Sequence, residues 1–268
     1  MTRDDTRSLL QAVAEVARLT GQTALGHYRK SIEVETKGDG SPVTIADRAA
    51  EQTARHWIEQ RFPNDAILGE EFGALGDETA RRWIIDPIDG TKTFVRGVPL
   101  WGTLIGVARG EDVLAGAIYC PAADELVVAA VGEGCWWNDS RARVSECRDL
   151  AQATVLSTDD RFPNHPARGA RWRSLAADAV VARTWGDCYG YVLVATGRAE
   201  LMVDNLMSPW DAVALVPVVR EAGGEFSDWD GRVTPFGNGA MATNAHLATS
   251  LRERLGVPWP ASREAISV

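Results

Sequence analysis

The stretch from Trp83 to Val95, WIIDPIDGTKTFV, limits what this chain can fold into more than any other. Trp83-Ile84-Ile85 reads as a short buried strand. It runs straight into Asp86-Pro87-Ile88-Asp89-Gly90-Thr91, where proline and glycine argue against regular structure. Two carboxylates, Asp86 and Asp89, thus stand three positions apart at the end of an apolar strand. A proline-stiffened turn aims both at one point and exposes the Ile88 carbonyl between them. Hard cations such as Mg²⁺ take oxygen ligands of this kind. No histidine or cysteine is near in sequence, which disfavours zinc. Gly90-Thr91 opens a short helix, and free N–H groups at a helix start suit a phosphate. Alone, DPIDG is also ordinary turn chemistry. The wholly apolar strand before it is what favours a site.

The rest of the chain supplies elements to pack around that strand. Leu9, Leu10, Val13, Val16, Ala17 and Leu19 recur at helical spacing, predicting a first helix from about Asp5 to Arg29. Lys37 to Pro42 reads as a loop. A second helix runs from about Thr44 to Arg61, with Thr44 as N-cap and Asp47 in its first turn. Strand patterns at Thr103–Val107, Val113–Tyr119, Glu125–Val131 and Cys135–Trp137 form a meander, hence an antiparallel or mixed sheet. Beyond Ala153, short strands (Thr154–Ser157, Val180–Ala182, Leu201–Val203) alternate with helical patterns (Ala170–Asp178, Tyr189–Thr196, Trp210–Ala222). That alternation marks an α/β half. The last strand, Ala240–Thr243, leads to a helix from Asn244. We expect an α+β half over residues 1–150 and an α/β half over 151–268.

Composition narrows the function. The 268 residues carry 28 basic and 37 acidic side chains, a net charge of −9. An acidic surface argues against nucleic-acid and anionic-membrane partners. No apolar run approaches the ~20 residues of a membrane span, and the N-terminus lacks signal-peptide character, so a cytoplasmic protein is expected. Cys120, Cys135, Cys147 and Cys188 show no CxxC spacing and read as reduced thiols. An anionic phosphate ligand fits such a chain only where metal ions invert the local field.

Two further acidic sites follow the same logic as the first. Glu70-Glu71 ends the apolar run Ile67-Leu68-Gly69. Asp211 follows Trp210 at the start of an apolar helix. Alone, the glutamates are a solvated pair and Asp211 is a first-turn acid favoured by the helix dipole. Taken in order, Glu70-Glu71, DPIDGT, Trp210-Asp211 and Glu221-Ala222-Gly223-Gly224 resemble the inositol monophosphatase superfamily of Mg²⁺-dependent phosphatases. The resemblance implies a layered αβαβα sandwich and a homodimer. It implies that Glu70, Asp86 and the Ile88 carbonyl hold one metal, and that Asp86, Asp89 and Asp211 hold a second. Two or three Mg²⁺ are implied in all. Gly90 and Thr91 match the phosphate-binding backbone, and Thr91 with Asp47 matches the pair that activates the attacking water, which Glu70 also helps to hold. Four such acids repel one another by ~4 kcal/mol per pair at ~4 Å and an effective dielectric of about 20, so they need cations to sit together.

Within that superfamily, Lys92-Thr93, Gly186-Asp187-Cys188-Tyr189 and WDAVALVPV at Trp210–Val218 resemble the histidinol-phosphate phosphatase branch. Histidinol phosphate carries an ammonium and an imidazole beside its phosphate. Asp187, and Asp204 seven positions before Asp211, stand where the resemblance places substrate-side residues. Carboxylates suit a cationic ligand. They also bond to polyol hydroxyls, so inositol 1-phosphate or a related sugar phosphate stays open. A non-catalytic metal- or phosphate-binding protein is a more distant alternative. Lys37, Arg96, Arg183 and Trp101 are further candidates for the site's surroundings. Asp228-Trp229-Asp230-Gly231 reads as a hairpin turn.

Overall fold

The computed structural model describes residues 3–38 and 40–259. Asp39, in the loop expected at Lys37–Pro42, and the last residues of the 151–268 half, 260–268, lie outside the described residues.

Helix α1 (Arg3–Leu25) stops short of the expected Arg29, because Gly26 begins a run of turns that closes on Arg29 at φ 58°. Strands β1 (Val34–Thr36) and β2 (Pro42–Thr44) pair antiparallel, so the expected loop is the tip of a hairpin. Helix α2 (Ile45–Arg61) starts as expected at Thr44. The Thr44 hydroxyl accepts from Ala46 N at 3.1 Å, and Asp47 Oδ2 accepts from Thr44 N at 2.8 Å.

The first sheet takes β3 (Ala66–Gly69), β4 (Gly73–Leu75) and β5 (Arg82–Asp89). After the short helix α3 (Thr91–Val95), it adds β6 (Gly102–Arg109), β7 (Asp112–Cys120), β8 (Glu125–Ala130), β9 (Gly134–Trp137) and β10 (Ser140–Arg141). The order is β10-β9-β8-β7-β6-β5-β3-β4, antiparallel except for the parallel pair β3–β5.

The second sheet and its helices follow: β11 (Thr154–Ser157), α4 (Pro166–Asp178), β12 (Val181–Arg183), α5 (Asp187–Ala195), β13 (Leu201–Asp204), α6 (Pro209–Ala212), α7 (Leu215–Glu221), β14 (Glu225–Ser227), β15 (Ala240–Thr243) and α8 (Ala248–Leu255). Its order is β12-β11-β13-β15-β14, parallel across the first three strands and antiparallel across the rest.

Two further helices depart from expectation. The one expected over Trp210–Ala222 is broken at 213–214 into α6 and α7. Pro217 has no N–H to give to the Val213 carbonyl, and its ring crowds that carbonyl. The last helix begins at Ala248 rather than Asn244, because the Asn244 side chain is spent on the turn before it, accepting from Leu247 N at 3.0 Å.

Three main cores, the middle one wrapped around the central helices, fill the spaces between five layers. Leu9, Val13, Val16, Ile58, Trp83, Ile85 and Ile105 fill the space between α1–α2 and the first sheet. Leu104, Ile118, Tyr191, Met202, Leu215 and Val218 fill the space between the sheets, around α5 and α7. Val155, Trp172, Leu175, Leu201 and Leu251 fill the space between the second sheet and α4–α8. The alternation of β5 shows how one strand serves two layers: Trp83 and Ile85 face α1–α2, while Ile84 packs on Val213.

Candidate active site

The acidic turn is not the irregular loop that proline and glycine imply. Strand β5 continues through Pro87 to Asp89. Asp86 pairs with Leu104 and Asp89 with Gly102, so Pro87 and Ile88 together oppose Thr103 alone. This is a bulge, where a residue without an N–H is tolerated. The Thr103 hydroxyl donates to the Pro87 carbonyl at 2.8 Å. The bulge has a geometric consequence. In a regular strand, residues three apart point to opposite faces. One extra residue reverses that parity and brings Asp86 and Asp89 to the same side.

Asp211 meets them from α6. It is a capping acid as well, because its Oδ2 accepts from Ser208 N at 2.7 Å. Carboxylate oxygens of Asp86, Asp89 and Asp211 all lie within 4.8 Å of one another. Asp86 Oδ1 accepts from Ile88 N at 3.0 Å, and Asp89 Oδ2 accepts from Cys188 N. Among the described residues, no lysine or arginine forms an ion pair with any of the three. Burial, then the neighbouring acids, pushes the Asp86 and Asp89 carboxyls well above the ordinary range. Burial pushes Asp211 up to about 6. A trio of oxygen donors, Asp86 buried and Asp89 and Asp211 half-buried, with no cation of its own is a donor set for a hard metal ion.

Glu70 stands at the edge of the trio. It follows β3, and its Oε1 accepts from Lys37 Nζ at 2.6 Å; the same ammonium reaches Glu71 Oε1 at 2.6 Å. Glu70 is still close enough that its charge helps raise Asp86 and Asp211. Lys37 is therefore a partner of the acidic edge rather than a solvent lysine.

Thr91 opens α3 beside Gly90, whose φ of 83° is the left-handed conformation that glycine takes freely. The Thr91 hydroxyl donates to the Ile88 carbonyl at 3.0 Å and lies 3.5 Å from Asp47 Oδ1. Burial raises the Asp47 carboxyl.

Asp187 and Asp204 both reach this region. Asp187 Oδ2 accepts from the Thr93 hydroxyl at 3.2 Å, and its N–H donates to Thr158 Oγ1 at 2.8 Å. The Tyr191 hydroxyl donates to Asp204 Oδ2 at 2.9 Å, and burial pushes the Asp204 carboxyl up to about 7. A cavity of about 120 Å³ is lined by Asp89, Asp187, Asp204, Asp211, Tyr191 and Leu206, among others. Asp187 also lines a more open cavity of about 830 Å³ that includes Thr93, Lys92 and Arg96.

Other candidates are placed differently. Trp101 is wholly buried against Phe94 and Tyr28, at ring-centroid distances of 4.8 and 5.4 Å, and lines neither cavity. Arg96 belongs to the larger cavity and Arg183 is exposed on β12. Thr158 and Tyr191, which orient Asp187 and Asp204, were not legible as site residues: Thr158 is a hydroxyl just past β11, and Tyr191 reads as one more apolar position of α5. Thr93, which donates to Asp187, stood out only within Lys92-Thr93.

The Inositol monophosphatase family profile matches residues 5–256. The chain belongs to the inositol monophosphatase family. It is 41% identical to a histidinol-phosphatase of Chlorobaculum parvum, over 92% of this chain and 96% of that one. It is 36% identical to a histidinol-phosphatase of Mycobacterium tuberculosis, over 95% and 99% of the two chains. The fold is similar to the crystal structure of the extragenic suppressor protein suhB from Bartonella henselae, with a TM-score of 0.86 and 29% identity, covering 92% of this chain and 98% of that one. The layered αβαβα architecture is thus the family's, and the enzyme is a phosphatase of that family.

Proposed function

We propose that this enzyme hydrolyses L-histidinol phosphate to L-histidinol and phosphate with two or three Mg²⁺ ions, as a cytoplasmic homodimer. The substrate rests on one observation above all: Asp187 and Asp204 line the same small cavity as Asp89 and Asp211. A ligand whose phosphate lies at the acidic trio would then present an ammonium and an imidazole to two further carboxylates. The similarity to two histidinol-phosphatases supports the same choice.

Asp86, Asp89, Asp211, Glu70 and the Ile88 carbonyl would hold Mg²⁺. Once bound, the ions would neutralise the acids, polarise the phosphoryl group and lower the pKa of the attacking water. The chain's own groups supply the rest. With the Ile88 carbonyl engaged by a metal, the Thr91 hydroxyl proton, which otherwise goes to that carbonyl, would turn to Asp47 Oδ1, leaving a Thr91 lone pair to accept from water and orient it for in-line attack. The backbone N–H groups of Gly90 and Thr91 receive phosphate oxygens. Asp187 and Asp204 fix the leaving alcohol through its cationic groups.

Phosphate release with Mg²⁺ tests the reading, comparing histidinol phosphate with inositol 1-phosphate, fructose 1,6-bisphosphate and adenosine 3′,5′-bisphosphate at matched concentrations. We expect a preference for histidinol phosphate of at least tenfold in kcat/KM, the ~1.4 kcal/mol that one charge-assisted contact supplies. A preference for inositol 1-phosphate would overturn the substrate while leaving the metal site intact.

A further inference from the structure

Helix α2 places Asp47, Glu51 and Arg55 at intervals of four, so they lie along one face. Ala46, Ala50 and Ala54, all fully buried, lie beside them. Glu51 is fully buried too, yet none of the roles above uses it. A buried carboxylate survives only when paired and hydrogen-bonded. Glu51 Oε1 accepts from Arg55 Nε at 2.7 Å and from Phe72 N at 3.2 Å, and its Oε2 accepts from Glu71 N at 2.7 Å. The Arg55 guanidinium also donates to the Gly73 carbonyl. A Cβ added at Gly69 would lie 1.9 Å from Glu51 Oε1, so only glycine lets the carboxylate come this close. The helix thus touches Gly69, Glu71, Phe72 and Gly73, the residues on either side of Glu70.

A buried ion pair is a poor source of stability, since apolar side chains of the same volume do as well or better. What Glu51 offers and an apolar residue lacks is acceptors for the backbone N–H groups of that turn. We propose that Glu51 is a positioning residue: with Arg55 it splints the Gly69–Gly73 turn and so fixes the direction from which Glu70 faces the Asp86–Asp89–Asp211 cluster. The role assigned to Glu70 rests on the function proposed above. Asp47 sits one helical turn before Glu51. One face of α2 therefore sets both the Glu70 turn and the partner of Thr91.

Two variants test this. Glu51→Gln keeps the shape but leaves one acceptor oxygen where there were two. Glu51→Asp keeps the charge beside Arg55 but withdraws it by roughly one carbon–carbon bond, ~1.5 Å. Amide hydrogen exchange of Glu71 and Phe72 is read in the metal-free proteins, Mg²⁺ binding by calorimetry, and KM at saturating Mg²⁺. We expect exchange at both amides at least tenfold faster, Mg²⁺ affinity about tenfold weaker, and KM within about twofold of wild type. Glu51→Asp is read if Glu51→Gln does not fold. Unchanged exchange, or faster exchange with unchanged Mg²⁺ affinity in a folded variant, overturns the proposal. A wild-type protein that binds Mg²⁺ but hydrolyses no phosphate ester would sink the proposed function and leave the exchange and affinity results to decide this one.

Discussion

Asp86-Pro87-Ile88-Asp89-Gly90 and Asp228-Trp229-Asp230-Gly231 look alike in sequence: each carries two acids and ends on Asp-Gly, and each lies at or just after a strand end. Their surroundings are opposite. Asp228, 1% exposed, accepts from Asp230 N at 2.9 Å and Arg232 N at 2.8 Å, and Arg232 Nε reaches it at 2.8 Å. It brings its own cation within the same turn. Asp86, 2% exposed, accepts from the Ile88 N–H and otherwise faces Asp89, Asp211 and Glu70. The Glu51–Arg55 and Glu125–Arg198 pairs behave as Asp228 does. In these three pairs the buried acid has a cation beside it. The Asp86–Asp89–Asp211 trio has other acids beside it and leaves the cation to be supplied.

Substitutions in the two turns should therefore fail in different ways. Asp89→Asn should lower kcat at least a thousandfold, the several kcal/mol that a metal contributes to phosphoryl transfer, while the metal-free protein melts no lower than wild type. Near-normal turnover in that variant would erase the contrast. Asp228→Ala should do the reverse. It takes the buried acceptor from the Asp230 and Arg232 N–H groups, while the exposed Arg232 guanidinium keeps Asp230, so chemical denaturation should show a loss of about 2 kcal/mol, with kcat at 25 °C unchanged. A smaller and more selective effect belongs to Asp187→Ala, which should raise KM about tenfold for histidinol phosphate and distinctly less for inositol 1-phosphate. Equal increases would refute the part given to Asp187 in choosing a cationic substrate.

Much of this was legible from residue pattern. The Thr44–Asp47 cap, the β-meander and the α/β alternation follow from local chemistry that the structure repeats. The acids of the site were picked out by their position at the ends of apolar runs. The bulge at Pro87–Ile88 was not, because a strand continuing through proline depends on what Thr103 does on the neighbouring strand. The break between α6 and α7 could have been read from Pro217. Trp101 looked available for a pocket because sequence gives its size and not its neighbours. Glu51 looked like any helix charge. Its one signal was the Asp47-Glu51-Arg55 stripe running beside three alanines, which marks charge on a buried face.

That Asp86, Asp89 and Asp211 together await a cation is tested most directly by thermal melting of the metal-free protein, wild type against Asp211→Asn, with and without Mg²⁺, at pH 5 and pH 8. Burial holds Asp211 at about 6 and Asp204 at about 7, above the unfolded value near 4. Between those values the folded protein keeps protons that the unfolded chain has released, so this contribution to stability falls as pH rises from about 4 to about 7 and then levels. The account predicts three results. Metal-free wild type loses more stability from pH 5 to pH 8 than the variant does. At pH 8 the metal-free variant is the more stable of the two, by roughly 2 kcal/mol. Mg²⁺ raises the melting temperature of wild type by several degrees and of the variant by much less. A metal-free Asp211→Asn protein that melts below wild type at pH 8, with the same Mg²⁺ shift in both, would contradict it.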